Sequence, residues 1–317
     1  MKRVLSTEKV SMRDVFGEIL LQLSIEDETV YVLDGDLANS TKVDTVAMKN
    51  PKKFLQMGIA EQNMMSVAAG LATTGLQPWA TTFAAFLSKR AIDQIQVQIA
   101  QPSLNVKMVG AYSGLLTGLT GKTHQALEDI AIFRTLANMV VLAPADSVEV
   151  KKMMEFAHKY KGPVYMRLAR DPYPVIFSQD YNFELGKAVT LKEGKDITII
   201  STGTQTSRSL EAAEKLEEEG ISVAVIHMPT IKPLDKKAII RAAETTGVIV
   251  TAEEHSIYGG LGSAVAEVLV EEKPVPMLRV GVKDRNAESA PNEELLEKYE
   301  ISVKYVAEAV KKALKKK

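Results

Sequence analysis

The chain has 317 residues, of which 46% are hydrophobic and 25% charged, a composition typical of a globular protein with about two domains. Its formal net charge of -1 gives no reason to expect nucleic acid as a partner, and the lack of cysteine excludes disulfides, thiolate metal sites and a cysteine nucleophile. No tract reaches the ~20 apolar residues of a membrane span, and the start, MKRVLSTEKVSMRD, lacks the apolar core of a signal peptide, so we expect a cytoplasmic protein that binds no membrane.

In the first half of the chain, short β-branched runs alternate with longer helical patterns. The runs predict strands at residues 29–33, 54–57, 78–82, 106–110, 139–143 and 164–167. The patterns between them predict helices at residues 12–24, 60–74, 84–101, 126–136 and 147–159. This alternation is typical of a mainly parallel sheet that is covered by helices on both faces.

The alternation stops at residues 171–186, DPYPVIFSQDYNFELG, which carry two prolines and no period and are expected to form an interdomain linker. A second α/β series follows, with strand-like runs such as DITIIST, ISVAVIHM, GVIVTAEE and PMLRVGV. The sequence therefore predicts an α/β fold of two doubly wound domains with mainly parallel sheets, in which residues 1–170 and 187–317 are the domains.

Ligands of open α/β sheets bind at the carboxyl ends of the strands, where loops run into helices. The loop LDGDLANST after the first predicted strand carries Asp34, Asp36, Asn39 and Ser40, which by themselves are also typical of a turn with a helix cap. The segment QMGIAEQNMM places Glu61 at the start of an apolar helix. A glutamate there is favourable with the helix dipole alone, but a carboxylate at the mouth of a buried helix also suits acid–base chemistry.

Two further segments of the first domain are candidates. TTFAAFLSKRAIDQ places Phe83 and Phe86 three residues apart on one predicted helix face, a pattern that core packing produces more often than a cofactor platform does. GAYSGLLTGLTGKTHQALED is a long loop with four glycines that ends in His124, which opens the next predicted helix. No histidines have metal-ligand spacing, so we expect no metal site in this chain. In the second domain, STGTQTS is typical of an anion-binding turn or of a plain turn capped by hydroxyls.

In their order along the chain, DGDLANS, GIAEQN, TTFAAF and GKTHQALED resemble the motifs of transketolases, in their pyrimidine-binding and C-terminal domains. The resemblance extends from about Arg13 to the end of the chain. The run EEHSIYGGLGSAVAE is similar both to these enzymes and to the related deoxyxylulose-phosphate synthase and 2-oxoacid dehydrogenase beta subunits. The resemblance implies that the cofactor is thiamine diphosphate.

Enzymes of this kind bind the cofactor's diphosphate and a Mg²⁺ or Ca²⁺ ion through a GDG motif that is followed downstream by an asparagine. Here the sequence reads GDL at residues 35–37, and no such metal segment occurs. The resemblance therefore implies the C-terminal subunit of a split transketolase, active only with an N-terminal subunit that carries the GDG…N motif and the metal. Because the site would lie between two chains, we expect an α2β2 heterotetramer.

The same resemblance implies roles for individual residues. Glu61 matches the glutamate that bonds the aminopyrimidine ring and promotes its imino form, while the carbanion chemistry is the cofactor's own. His124 matches a catalytic histidine that bonds substrate oxygens near the reacting carbon. The remaining matches are cofactor neighbours and residues that bind a sugar phosphate: Asp36, Phe83 and Phe86 for the cofactor, and Arg13, Ser40 and Arg170 for the phosphate.

The implied reaction moves a two-carbon ketol unit from a ketose phosphate to an aldose phosphate, as in the pentose phosphate pathway. Three departures from the family pattern leave the sugars open: Lys89 in place of an aromatic, Tyr112 in place of a histidine and Thr120 in place of an aspartate. Two alternatives also stay open. One is the beta subunit of a 2-oxoacid dehydrogenase, which needs no sugar-phosphate site, and the other is a non-catalytic subunit for assembly or regulation.

Overall fold

The computed structural model describes residue 6 and residues 8–317. The signal-peptide prediction and the start of the first predicted domain fall partly on residues 1–5 and 7, outside the described residues. The strands are, in chain order, β1 (Lys9–Val10), β2 (Val30–Asp34), β3 (Phe54–Gln56), β4 (Gln77–Phe83), β5 (Lys107–Ala111), β6 (Val140–Leu142), β7 (Val164–Arg167), β8 (Tyr173–Pro174), β9 (Val189–Lys192), β10 (Ile197–Ser201), β11 (Val223–His227), β12 (Thr230–Lys232), β13 (Ile249–Ser256) and β14 (Met277–Val282).

The helices alternate with these strands. They are α1 (Met12–Glu26), α2 (Ala38–Thr41), α3 (Asp44–Lys49), α4 (Glu61–Thr73), α5 (Ala84–Lys89), α6 (Ile92–Gln94), α7 (Asp129–Thr135), α8 (Ser147–Lys159), α9 (Gln205–Glu218), α10 (Lys236–Thr246), α11 (Leu261–Glu272), α12 (Asn292–Lys298) and α13 (Val303–Leu314). Within the described ranges, none of the helices combines the length and the apolar character that crossing a bilayer requires.

The sheet of the first domain has the strand order β12-β6-β7-β5-β4-β2-β3. Strands β2 to β7 run parallel, whereas β12, which follows β11 in the second half of the chain, pairs antiparallel with β6. Helices α1 and α8 pack on one face of this sheet through Phe16, Leu20 and Met153. Helices α4 and α7 cover the other face through Met64 and Phe133.

The sheet of the second domain has the order β14-β13-β10-β11-β9, in which only the edge strand β9 is antiparallel to its neighbour. Helices α9 and α13 pack on one face through Leu210 and Val306. Helices α10 and α11 cover the other face through Ile239 and Val265, which belong to the same apolar cluster as Met64 of the first domain. The predicted fold class, two α/β domains with mainly parallel sheets, is confirmed, and one core runs through both.

The helix predicted over residues 84–101 is broken into α5, α6 and a π-helical turn at Ile95–Ala100. Four of its fully buried positions, Leu87, Ala91, Ile95 and Ile99, recur every fourth residue. A period of four exceeds the 3.6 residues of an α-helical turn, so a helix that keeps all four side chains in the core has to widen.

The predicted linker packs against both domains rather than crossing solvent. Strand β8 pairs antiparallel with β1, which ties the linker to the start of the described chain. Farther along, the carboxylate of Asp146 accepts the backbone N–H groups of Ile176 and Phe177 at 2.6 and 2.8 Å. These contacts fix the path of the chain between the two sheets.

Candidate active site

Three neighbouring strands of the first sheet, β5, β4 and β2, end at the same edge, and the loops after them carry most of the predicted site residues. Asp36 lies at the rim of this edge. It is exposed, its φ is 63°, and its N–H donates to Oε1 of Gln56 at 3.0 Å. Beneath it, Asp34 is fully buried, and its carboxylate accepts from Gln56 Nε2 and from the N–H of Leu37, both at 2.9 Å. Burial raises the pKa of Asp34. The carboxylate bonds residues of the turn and is closed off from the surface.

Glu61 is the first residue of α4 and is completely buried. Both of its carboxylate oxygens accept hydrogen bonds from Nη1 of Arg90, at 2.8 and 2.7 Å. The guanidinium of Arg90 lies over the ring of Phe86, 4.5 Å from its centroid, and the arginine side chain is 44% exposed. A buried carboxylate is thus paired with a cation that reaches it from the open side of the site.

Gly35 packs closely against the side chains of Thr82 and Glu61. A Cβ placed on Gly35 would lie 3.1 Å from Oγ1 of Thr82 and 3.7 Å from Cγ of Glu61. The Thr82 hydroxyl is buried and has no hydrogen-bond partner. Because buried polar atoms are almost always bonded, an unpaired hydroxyl next to a buried carboxylate suits a ligand that supplies the missing partner.

Four rings form a cluster next to Glu61. Phe83 stacks on Tyr112 with ring centroids 4.1 Å apart and on Phe86 at 5.7 Å, and His124 meets the edges of Phe83 and Phe86 at 5.8 and 5.4 Å. The prediction that Phe83 and Phe86 share a helix face is wrong, since Phe83 ends β4 and only Phe86 lies in α5. Tyr112 has a φ of 53°, a left-handed conformation that is uncommon outside glycine and concentrates at functional sites.

His124 lies in a turn and does not open a helix, so that prediction is also wrong. The helix α7 begins at Asp129 because Ala126 is held extended by two backbone hydrogen bonds with Gly114, at 3.0 and 3.2 Å. His124 is half-buried, and its Nδ1 lies 2.9 Å from the hydroxyl of Thr123. The ring is therefore presented by a loop whose two ends are fastened together.

The three predicted phosphate-binding residues converge on Tyr112. Nε of Arg13 donates to the carbonyl of Arg170 at 2.9 Å, and Nη1 of Arg13 donates to the carbonyl of Ser40. Both guanidinium groups lie over the Tyr112 ring, 5.0 and 5.5 Å from its centroid. Nη1 of Arg170 donates to Asp171 at 2.7 Å, while its Nε is buried without an acceptor. Two guanidinium groups thus lie side by side, and one of their donors, Nε of Arg170, has no acceptor.

The other two departures from the family pattern lie away from this cluster. Lys89 forms an ion pair with Glu128 at 2.9 Å, and both side chains are about half exposed. Thr120 lies in the turn Gly118–Thr120, with its hydroxyl 2.6 Å from that of Thr117. Of the three departures, Tyr112 alone is in contact with the arginines.

Two family models match the chain. The one described as the transketolase pyrimidine binding domain matches residues 8–175, and the one described as the transketolase C-terminal domain matches residues 186–306. The chain belongs to the transketolase family. The resemblance predicted from the motifs is thereby confirmed, while the roles of individual residues stay predictions.

Two relatives that this transketolase chain matches over nearly their whole length are named as a subunit and as a section of a transketolase. It is 40% identical over 306 residues to the 6-deoxy-6-sulfo-D-fructose transketolase subunit SqwH of Clostridium sp. (strain MSTE9), which covers 96% of this chain and 95% of the relative. It is 41% identical over 308 residues to a putative transketolase C-terminal section of Methanocaldococcus jannaschii, with 96% of each chain covered. A solved structure described as a split gene transketolase, inactive beta4 tetramer, has a TM-score of 0.89, is 45% identical, and covers 98% of this chain and 100% of its own.

Two site features of this transketolase chain are absent from the sequence-based predictions. Arg90 lies in the sequence beside Lys89 and near Asp93 in the predicted helix, so nothing distinguishes it there from an exposed charge. Thr82, inside the buried strand β4, carried no signal in the sequence either. The structure also shows what the STGTQTS turn binds. The hydroxyl of Thr204 at the start of α9 donates to Glu254 at 2.8 Å, so the anion at this turn is a carboxylate of the protein itself.

Proposed function

We propose that the chain is the C-terminal subunit of a thiamine-diphosphate-dependent transketolase that moves a two-carbon ketol unit from a ketose phosphate to an aldose phosphate. The observation that carries the proposal is the position of Glu61, a buried carboxylate that Arg90 joins to the cluster of aromatic rings, on whose Tyr112 two further arginines lie. Membership of the transketolase family supports the cofactor, since the matched domain is named for binding its pyrimidine ring.

The residues around Glu61 fit a planar heterocycle. Glu61 would hold the ring by a hydrogen bond, and the unpaired hydroxyl of Thr82 would give the ring a second partner. Phe83 and Phe86 would pack on it, with Asp36 at the rim. The cofactor supplies the carbanion chemistry when bound, and this chain supplies orientation and charge.

The arginine cluster is the proposed site of the sugar's phosphate. Arg13 and Arg170 present fixed guanidinium groups, and the free Nε of Arg170 is a donor for an anionic oxygen. Ser40 is joined to Arg13 through its carbonyl, which leaves its hydroxyl for the same anion. His124, on the opposite side of Phe83, would bond substrate oxygens near the reacting carbon.

We propose that a separate N-terminal subunit completes the site. Among the described residues no three His, Cys, Asp or Glu side chains are grouped to hold a metal, and the GDG…N motif is absent from the sequence. The partner would bring that motif with the diphosphate and a Mg²⁺ or Ca²⁺ ion, in a cytoplasmic α2β2 assembly. The names of the relatives support this arrangement, in which residues 1–170 bind the pyrimidine, 171–186 link, and 187–317 form the C-terminal domain.

The reaction is tested with the chain reconstituted with its partner, thiamine diphosphate and Mg²⁺. Changing Glu61→Gln should lower kcat/KM for ketol transfer by about 10²–10⁴-fold, the usual contribution of a group that handles protons. The exposed Glu18 on α1 offers a matched control, and Glu18→Gln should leave the rate unchanged. Full activity in Glu61→Gln would refute the assignment, and activity on pyruvate with a lipoyl acceptor would point to the dehydrogenase alternative.

The donor sugar is a second question, because one relative is named for 6-deoxy-6-sulfo-D-fructose. A sulfonate and a phosphate are both anions with three outward oxygens, so the Arg13–Arg170 pair suits either group. We propose that the chain's donor carries one of these two end groups. Comparing kcat/KM for ketose phosphates and for the sulfo sugar identifies it, and equal rates with an uncharged ketose would contradict both.

A further inference from the structure

The second domain places one buried carboxylate against the loop that carries His124. Glu254 lies near the carboxyl end of β13, and its side chain is 6% exposed. Its Oε1 accepts the backbone N–H groups of Leu115 and Leu116, at 3.1 and 2.9 Å. These two residues belong to the first domain and begin the loop that runs from Gly114 to His124.

The other oxygen of Glu254 is held by the second domain itself. Oε2 accepts from the hydroxyl of Thr204 at 2.8 Å and lies 3.5 Å from Nη1 of Arg208. The backbone carbonyl of Glu254 also accepts from the guanidinium of Arg167 in the first domain, at 3.4 Å. One oxygen of the carboxylate is thus held by the second domain, and the other accepts from the loop. Hydrogen bonds to a charged acceptor are about twice as strong as neutral ones, so these bonds hold the loop firmly.

The backbone of the loop is shaped for this contact. Gly114 has a φ of +83°, and a Cβ on it would lie 2.4 Å from Oε1 of Glu254. Only a residue without a side chain lets the loop approach the carboxylate so closely. At the other end of the loop, a Cβ on Gly118 would lie 3.2 Å from Nη1 of Arg170, so the same loop also lies against the phosphate-binding arginines.

Further bonds from the second domain hold the rest of the loop, but none uses a charge. Asn292 accepts the N–H of Gly118 at 3.0 Å, and the hydroxyl of Ser289 donates to the carbonyl of Leu119 at 2.7 Å. Gln125 bridges the carbonyls of Leu115 and Glu288, at 2.8 and 3.1 Å. The contacts of Asn292, Ser289 and Glu288 join the loop and Gln125 to the second domain, whereas the bond from Gln125 to Leu115 lies within the first.

We propose that Glu254 is a positioning residue through which the C-terminal domain fixes the His124 loop for substrate binding. This inference rests on the proposed function of His124 and Arg170, but the anchoring of the loop is measurable without catalysis. It also gives the C-terminal domain a task in the reaction, since the domain supplies no side chain to the ring cluster or to the arginine cluster.

The chain contains a matched control on the same strand. Glu253 is also fully buried, and its two oxygens accept the backbone N–H groups of Leu261 and Gly262, at 2.7 and 2.8 Å. Those groups open α11 inside the second domain and do not touch the loop. Glu253→Gln therefore changes a buried glutamate with the same number of backbone N–H partners, none of which belongs to the His124 loop.

The experiment compares Glu254→Gln and Glu253→Gln in the reconstituted complex by hydrogen–deuterium exchange and by steady-state kinetics. Glutamine has a single accepting oxygen and no charge, so either the loop N–H groups or Thr204 and Arg208 must face its NH2 group in place of a carboxylate oxygen. In Glu254→Gln, peptides covering residues 114–124 should exchange at least ~10-fold faster, and kcat/KM for the donor should fall by about 10-fold or more. In Glu253→Gln, the faster exchange should be confined to peptides around residues 257–264, with kinetics as in the wild type.

Thr204→Val provides a milder variant if Glu254→Gln does not fold, because it removes one bond to Oε2 at nearly constant volume and should give the same loop exchange to a smaller degree. Unchanged exchange of residues 114–124 in Glu254→Gln would overturn the proposal, and so would equal kinetic losses in the two glutamine variants. If the wild-type complex lacks ketol transfer, the proposed function fails, whereas the exchange result still decides whether Glu254 anchors the loop.

Discussion

The two sheets of the chain both carry polar side chains at the carboxyl ends of their strands, but these side chains meet different surroundings. We call the end of the first sheet, with Glu61, Phe83, Tyr112, His124 and Arg170, the site edge. There, the hydroxyl of Thr82 and Nε of Arg170 lack partners, and His124 and Arg170 are partly accessible. The end of the second sheet, with Thr204, His227, Glu254 and His255, is buried against the first domain, and we call it the joint edge.

At the joint edge, the polar groups are paired by the protein. Nε2 of His227 lies 2.9 Å from Glu149 of α8, and its Nδ1 lies 2.8 Å from the hydroxyl of Thr206. Glu149 also accepts from Tyr181 of the linker at 2.9 Å. The same strand-end position therefore yields a candidate binding site where two buried polar groups, of Thr82 and Arg170, lack partners and a structural joint where His227 and Glu254 are bonded by the protein.

The largest difference between the edges should appear in stability. Arg167 forms a two-point ion pair with Asp129 at 3.0 Å for both bonds, and both side chains are almost fully buried. Arg167→Met leaves a buried carboxylate unpaired and should lower the free energy of unfolding by about 3–5 kcal/mol. Denaturant unfolding measures this loss. Arg134→Met, which breaks a pair with the exposed Glu267, should cost less than about 1 kcal/mol, and equal losses would contradict the role of the joint.

The joint should also respond to pH through Asp146, whose pKa is raised to about 6 by burial and by the charge of Glu149. The folded chain therefore binds this proton more tightly than the unfolded chain, in which the pKa of the Asp146 carboxyl is near 3.8. The stabilisation is complete below about pH 4 and is lost as the pH rises through about 6, on the order of 3 kcal/mol. Unfolding free energies between pH 4 and pH 7 should show this loss in the wild type and lack it in Asp146→Asn. The exposed Asp93→Asn variant should keep it, and a parallel pH profile for wild type and Asp146→Asn would be evidence against it.

At the site edge, mutations should affect substrate binding more than folding. Arg170→Ala removes a guanidinium that has a buried, unused donor, and the KM for an anionic donor sugar should rise by about 10–100-fold, as expected for a charge-assisted hydrogen bond. The exposed Arg241→Ala variant should have a wild-type KM. Steady-state kinetics with the reconstituted pair check both, and a normal KM in Arg170→Ala would remove the phosphate assignment.

The smallest expected effect is that of a change at Tyr112, whose ring packs against the guanidinium groups of Arg13 and Arg170. Tyr112→Ala removes the ring under both guanidinium groups, and because each cation–π contact is worth about 0.5–1 kcal/mol, the KM should rise by roughly 5–30-fold. Tyr112→Phe keeps the ring and should change the KM less. The exposed Tyr258→Ala serves as the control. A Phe variant as impaired as the Ala variant would assign the effect to the hydroxyl instead.

The site edge was largely predictable from the sequence because it follows general rules. Strand alternation fixed the sheet, the carboxyl-end rule selected the loops, and the resemblance selected Glu61, the phenylalanines, His124 and the arginines. The structure brings these residues together, although Phe83 lies in a strand and His124 in a turn. Their local geometry depends on backbone pairing, such as that of Ala126 with Gly114, which no periodicity records.

The joint edge was not predictable, and the reason is physical. Its pairs, such as His227 with Glu149 and Glu254 with Leu115, join residues separated by 78 and 139 positions. Taken alone, His227 and Glu254 are ordinary polar residues near the ends of strands. The edge strand β12 is three residues long and pairs with the other domain, so it too lacks a sequence signal.

The binding of thiamine diphosphate tests the central claim most directly. Isothermal titration calorimetry should be run on this chain, on its partner and on the reconstituted pair, each with Mg²⁺, and repeated on the pair with Glu61→Gln. We expect tight binding only to the wild-type pair and clearly weaker binding to the Glu61→Gln pair. Equal affinity of the two pairs would contradict the account, as would tight binding to this chain alone.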